Sequence, residues 1–184
     1  MTTAPAPNHD RFRSPARLLL VEPNRRALTV MAKRMGEAGF RIIACDSPGN
    51  AAAEMHRAPV DLVLAELRMA PISGIELTRR IRDDTVLKGT PIILITGKSD
   101  SAGAVDGFAA GADDVVAKPF HFEVLIARVA RRIARARSER ELLGDKATLD
   151  ARVVTRAIQL AEMRAALEAS EAERVRLERL VGRA

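Results

Sequence analysis

Between about residues 17 and 137, short apolar runs the length of a β-strand alternate with longer amphipathic stretches the length of an α-helix. This alternation is typical of a parallel sheet whose connecting helices cover both of its faces. The first, third and fourth runs are apolar along their length, as expected of strands buried on both sides. We therefore predict a doubly wound α/β fold with five parallel strands. The predicted strands are RLLLV (17–21), RIIAC (41–45), DLVLA (61–65), PIILIT (91–96) and DVVA (114–117).

Residues that cap helices mark where the intervening helices begin. Asn24, Ser47 and Ser73 each precede an amphipathic stretch and can accept a hydrogen bond from its first free N–H groups. The fourth helix is predicted to begin near Asp100 or Ser101, and the fifth near His121.

The length of 184 residues leaves room for one domain and an appendage, and 47% hydrophobic residues are enough for a full core. No apolar run approaches the ~20 residues that cross a bilayer, so no membrane association is expected. Residues 1–15 lack the apolar stretch of a secretion signal and are predicted to form a disordered tail. The one cysteine, Cys45, excludes an internal disulfide. Together these features predict a cytoplasmic protein.

Beyond Arg137 the composition shifts to Ala, Glu, Arg and Leu, and apolar residues recur at heptad spacing. We predict a linker at 138–149 that continues from the fifth helix, with a break or flexible joint at Gly144-Asp145. A coiled-coil helix at 150–184 follows it. A single helix would leave the apolar stripe in water, so we expect a homodimer. The alternative is that this helix packs back on its own domain or frays. The dimer seam consists of Leu149, Val153, Leu160, Met163, Leu167, Leu177 and Val181, with Arg156, Ser170 and Arg174 at the remaining seam positions.

Spacings of three and four residues place four arginines on one face of the predicted fifth helix. These are Arg128, Arg131, Arg132 and Arg135. In a chain of net charge +6, such a face is a candidate docking surface for an acidic protein or a nucleic acid. Nucleic-acid binding is not expected, because the chain has no Trp or Tyr on which bases could stack. The alternative is a solvated face opposite Val129 and Ile133, which would point into the core.

Polar side chains stand at the ends of four predicted strands. They are Glu22, Glu66, Thr96 and Lys118. The carboxyl ends of parallel strands meet at one edge of a sheet, where ligands bind, so we expect these groups to converge. Carboxylates hold an ammonium group or a divalent cation. The sequence contains no phosphate-binding glycine loop, nucleophile elbow or histidine–cysteine cluster with ligand spacing, and we predict no enzyme activity.

Over residues 16–137 the sequence resembles the receiver domain of bacterial two-component response regulators. The resembling stretches are LLLVEPN, VDLVLAELRMAPISGIEL, TPIILITG and GFAAGADDVVAKPF. The resemblance implies a flavodoxin-like sheet of strand order 2-1-3-4-5, a cis peptide before Pro119, and a histidine kinase or other signalling protein as partner. Thr96 and Lys118 stand where the family has its hydroxyl residue and its lysine.

The chain departs from the family pattern at the residues that perform phosphoryl transfer. Glu66 occupies the place of the phosphoacceptor aspartate, and Pro23 replaces the second of two acidic residues that hold Mg²⁺ beside Glu22. Val115 replaces the aromatic switch residue, and Ala70-Pro71 stands where a proline-glycine pair is typical. The longer glutamate misplaces its carboxylate by about 1.5 Å, and phosphoryl transfer is sensitive to shifts of that size.

These departures predict a pseudo-receiver that signals without phosphorylation. An ion pair between Glu66 and Lys118 would hold one activated-like conformation, because a carboxylate carries about one negative charge where a phosphoryl group carries nearly two. We expect no cofactor, since Glu22 and Glu66 alone make a poor Mg²⁺ site. The alternatives are an inert platform and residual Mg²⁺-dependent phosphoacceptance. The coiled coil is either the output itself or the start of a longer protein.

Overall fold

The computed structural model describes residues 15–181, apart from the side chains of residues 166, 173 and 175–181. The tail predicted at 1–15 therefore lies outside the described residues, except for Pro15. Strands and helices alternate from the first element to the last. The elements are β1 (Arg17–Val21), α1 (Arg25–Glu37), β2 (Arg41–Cys45), α2 (Pro48–Arg57), β3 (Leu62–Glu66), α3 (Gly74–Asp83), β4 (Ile92–Thr96), α4 (Ser101–Ala109), β5 (Asp114–Ala117) and α5 (Phe122–Val181).

The five strands form one parallel sheet of order β2-β1-β3-β4-β5, which confirms the predicted fold. β3 ends one residue later than predicted, because Glu66 pairs with Ile95 of β4 and the next amide, of Leu67, donates to the Ile95 carbonyl oxygen at 2.7 Å. Glu66 and Thr96 are thus the last residues of their strands, and each side chain is held in the fixed geometry of the sheet.

Each face of the sheet carries its own core cluster, as the alternation of side chains along a strand requires. In β3, Val63 and Ala65 pack on one face with residues of α2 and α3, such as Met55 and Leu77. Leu62 and Leu64 pack on the opposite face with residues of α1 and α5. The latter include Met31, Met35, Leu125, Val129 and Ile133.

The predicted caps begin their helices as expected. The side-chain oxygen of Asn24 accepts the N–H groups of Arg26 and Ala27 at the start of α1. Ser47 and Ser73 do the same for α2 and α3. Each such cap contributes roughly 1 kcal/mol, and it fixes where the loop before the helix turns.

The chain divides into two compact units, Met1–Arg137 and Ser138–Ala184. The break predicted at Gly144-Asp145 is wrong, since helical structure runs through both residues. An exposed glycine costs a helix only about 1 kcal/mol, and the neighbouring Glu and Leu residues have high helix propensity. Among the residues that the structure describes, none of the helices is both long and apolar enough to cross a membrane.

In the second unit the five seam side chains that the structure describes are all more than half exposed. They are Leu149, Val153, Leu160, Met163 and Leu167. The side chains of Leu177 and Val181, the last two predicted seam positions, lie outside the described residues.

Candidate functional site

At the carboxyl edge of the sheet, the ammonium group of Lys118 lies between two carboxylates. Its Nζ is 2.5 Å from Oε2 of Glu66 and 3.1 Å from Oε2 of Glu22. β1 and β3 are neighbours in the sheet, so their two glutamates end side by side, and the strand that follows β4 delivers the lysine. Three of the four predicted strand-end groups therefore meet.

The two carboxylates in this cluster are well shielded from water. The side chains of Glu22 and Glu66 are 6% and 13% exposed, whereas that of Lys118 is 39% exposed. Burial alone would lower the pKa of Lys118, but its hydrogen bonds and charge interactions with Glu66 and Glu22 outweigh burial and raise that pKa above its ordinary value. Lys118 is therefore a permanent cation at this edge, and it compensates the charge that folding buries.

The second oxygen of Glu22 is also engaged. Its Oε1 accepts the backbone N–H of Asn24 at 2.9 Å, so both oxygens of this carboxylate have partners. The adjacent Pro23 is exposed and offers no side-chain oxygen. Within the described part of the chain, no group of three or more His, Cys, Asp or Glu side chains could hold a metal ion. This set of donors fits an ammonium group and does not fit Mg²⁺, which takes several oxygen ligands.

The fourth strand-end group, Thr96, is directed to a different partner. Its buried hydroxyl donates to Oδ2 of Asp100 at 3.2 Å. Asp100 is also the N-cap of α4, since its Oδ1 accepts the N–H of Gly103 at 3.0 Å. The hydroxyl predicted to join the pocket is thus held at the start of α4 instead.

Arg68, in the loop after β3, binds the same aspartate. Its Nε and Nη2 donate to the two Asp100 oxygens at 2.7 and 2.8 Å, in the two-pronged geometry that favours arginine over lysine. These bonds hold the pKa of Asp100 well below its usual range. The loop after β3 is thereby tied to the start of α4. Sequence reasoning did not identify Arg68, because a single exposed arginine carries no local signal.

Gly74 allows α3 to pack tightly against the end of β3. A Cβ at this position would lie 2.4 Å from the carbonyl oxygen of Glu66, which is closer than atoms can approach. The Gly74 N–H also donates to the carbonyl oxygen of Leu67 at 2.9 Å. The backbone that positions the Glu66 carboxylate is thus fixed by a contact that tolerates no side chain.

The remaining altered positions lie around this cluster. Val115 is half-buried and packs against the core cluster beneath α3. The peptide between Lys118 and Pro119 is cis, as the sequence predicted, and that between Ala70 and Pro71 is also cis.

The predicted arginine face of α5 is partly neutralised by its own domain. Arg128 pairs with Asp114 at 2.8 Å, and Arg132 binds the backbone oxygen and the carboxylate of Asp113. Arg131 is exposed. The four predicted arginines and Asp114 line a shallow surface depression of about 430 Å³. On the opposite side of the helix Val129 and Ile133 are buried, as the sequence predicted.

Comparison with known proteins identifies relatives across the first unit. Among curated proteins, the chain is 40% identical over 98 residues to the response regulator ArlR of Staphylococcus haemolyticus (strain JCSC1435), which covers 52% of this chain and 43% of that protein. It is 33% identical over 120 residues to the transcriptional regulatory protein ResD of Bacillus subtilis (strain 168), with 65% and 49% covered. The chain therefore spans about half the length of the curated relatives it matches.

Solved structures agree with this assignment. The signal receiver domain of a signal transduction histidine kinase from Syntrophus aciditrophicus superposes with a TM-score of 0.61 at 25% identity, over 65% of this chain and 90% of that one. The family model of the response regulator receiver domain matches residues 18–130, which is more than half of the chain. The chain belongs to the response regulator receiver domain family of two-component systems.

Proposed function

We propose that this chain is a pseudo-receiver, a cytoplasmic module that signals by binding and dimerisation and does not depend on phosphorylation. It is not an enzyme and uses no cofactor. Its partner is a histidine kinase or another signalling protein, and its second unit forms a homodimer through the dimer seam.

The contact of Lys118 with both Glu66 and Glu22 is the observation that carries this proposal. In the family the equivalent lysine stands beside the aspartate that accepts a phosphoryl group. Here the ammonium group already has two carboxylate partners, and the Glu66 carboxylate extends toward the space that an incoming phosphoryl group would need. Like charges at that distance repel, and no Mg²⁺ site fits these residues to screen them.

The bonds of Thr96 and Arg68 with Asp100 support a fixed conformation. In the family the hydroxyl residue moves when the acceptor is phosphorylated. Here that hydroxyl and an arginine fork both bind the N-cap of α4. Val115 has no aromatic ring that could change place with it. One arrangement of the loop after β3 and of α4 is therefore favoured irrespective of phosphorylation.

The exposed seam supports dimerisation. A row of side chains that are each more than half exposed leaves a long apolar stripe in water in the single chain. Two such helices cover the stripe by packing against each other in a coiled coil, since the apolar residues recur every three and four positions.

The depression on α5 favours a second candidate function, which is docking of an acidic protein. Arg131 is exposed there, but Asp113 and Asp114 already offset two of the neighbouring guanidinium groups. Docking by this face predicts binding that weakens steeply with salt and is reduced by Arg131→Ala.

Two measurements test the main proposal. Amide spectra of the chain should stay unchanged when acetyl phosphate and Mg²⁺ are added, whereas changes at Thr96 and along α4 would contradict a fixed conformation. Light scattering should give a dimer for the full chain and a monomer for a chain that ends at Arg137. A monomer in both cases would refute dimerisation through the second unit.

A further inference from the structure

The charges that flank the dimer seam distinguish between the two ways in which two copies can pair. The occupant of the seam is a second copy of this chain, so this inference rests on the proposed dimerisation. In heptad terms, Val153, Leu160 and Leu167 are a positions, and Leu149 and Met163 are d positions. We propose that the two helices pair antiparallel, centred on Ile158.

A parallel pair would bring like charges together in the core. In a parallel, in-register dimer each seam residue faces its own copy, so Arg156 would face Arg156 and Arg174 would face Arg174. These are four guanidinium groups at positions that should be apolar, and Arg156 has Arg152 one turn away on the same helix. Burying cations against each other is costly, because nothing at the seam compensates them.

The flanking positions of a parallel pair are unfavourable as well. Asp145, at a g position, would lie beside Asp150, at the e position of the second copy, and the dimer contains this repulsive pair twice. The next g positions bring no attraction. Arg152 would meet Ala157 and Gln159 would meet Arg164.

Antiparallel pairing centred on Ile158 removes these conflicts. Val153 then packs against Met163 and Leu149 against Leu167 of the second copy. Each seam arginine faces a leucine, since Arg156 lies opposite Leu160 and Arg174 opposite Leu142. An arginine can lay its methylene stem on a leucine and keep its charge in water.

The same register forms two opposite-charge pairs beside the seam. Asp150 lies next to Arg164 of the second copy, and symmetry repeats the pair. Shifting the helices by one heptad in one direction places Asp150 beside Glu171. Shifting them in the other direction places it beside Ala157 and shortens the paired length. The charge at Asp150 therefore selects the register centred on Ile158.

Reversing the charge at Asp150 gives opposite results for the two orientations. In the antiparallel dimer, Asp150→Lys places two lysines beside two Arg164 side chains, and the dimer dissociation constant should rise about fivefold to tenfold. The double variant Asp150→Lys/Arg164→Glu should return it to within about twofold of the original. The matched control Ala151→Lys adds the same charge away from the seam and should have little effect. In a parallel dimer, Asp150→Lys would relieve the repulsion with Asp145 and tighten association, which would overturn the inference.

Disulfide formation reads the orientation directly. In a full-length background with Cys45→Ala, the Val153→Cys and Met163→Cys chains should cross-link to each other when mixed, and neither should cross-link alone. Self-linked Val153→Cys chains would refute the antiparallel arrangement. Light scattering on the same samples separates the two levels of failure. A dimer with the other linkage refutes only the orientation, whereas a monomer refutes the proposed dimerisation as well.

Discussion

Replacing Lys118 by methionine removes the one cation that contacts the carboxylates of Glu22 and Glu66 and keeps a side chain of similar length. Breaking a fully buried ion pair from one side costs about 3–5 kcal/mol. Lys118 is 39% exposed, so water would screen part of the uncovered charge. We therefore expect Lys118→Met to lower the free energy of unfolding of the receiver unit by about 2 kcal/mol.

Urea denaturation measures this loss. For an m value of about 2 kcal/mol/M, a loss of 2 kcal/mol lowers the urea midpoint by about 1 M. The control Lys98→Met removes an exposed lysine at the same edge and should change stability by less than about 0.5 kcal/mol. In a Glu66→Gln background, the effect of Lys118→Met should fall by at least about half, since one of the two charges is already gone. A midpoint for Lys118→Met that matches the Lys98→Met control would refute the ion-pair account of this site.

Further consequences concern pH, packing and the two helices that flank the site. Because the folded-state pKa of Lys118 is raised, its stabilisation is fully present below its unfolded pKa of about 10.4 and is lost as pH rises through the folded value. Above about pH 10 the stability advantage over Lys118→Met should therefore shrink in urea titrations, and a constant advantage would contradict the assignment. Gly74→Ala should cost about 1–3 kcal/mol by thermal unfolding, because its Cβ would overlap a strand carbonyl oxygen; no loss would show that this contact is not tight. Gly144→Ala should raise the helical circular dichroism signal of the second unit and stabilise its helix by about 0.5–1 kcal/mol; a decrease would indicate a break at this residue. Arg68→Ala should speed hydrogen exchange at the amides of the first turn of α4, and unchanged exchange would show that the bond to Asp100 does not hold this helix.

The fold could be predicted because its signals are local and repeated. Apolar runs of strand length, caps such as Asn24 and Ser47, and buried positions such as Val129 follow from the period of each element. The contact of Lys118 with the two glutamates also follows from topology, since parallel strands end at one edge. For the same reason, three of the four strand-end groups could be placed before the structure was known.

The partner of Thr96 could not be predicted from its position in the sequence. Which of several nearby acceptors a hydroxyl chooses depends on side-chain directions, and here Asp100 competes successfully because it caps α4 within reach. Arg68 is recognised only when the loop after β3 is seen beside α4. At Gly144 the sequence suggested a break, but one glycine cannot outweigh the helix-forming residues around it.

The central claim, that this receiver does not accept a phosphoryl group, is tested most directly by weighing the intact protein after incubation with acetyl phosphate and Mg²⁺. The original chain should gain no adduct of about 80 Da, the mass of one phosphoryl group. The double variant Glu66→Asp/Pro23→Asp restores the shorter acceptor and the missing carboxylate, and it serves as the positive control. An adduct on the original chain that disappears in Glu66→Ala would contradict the account.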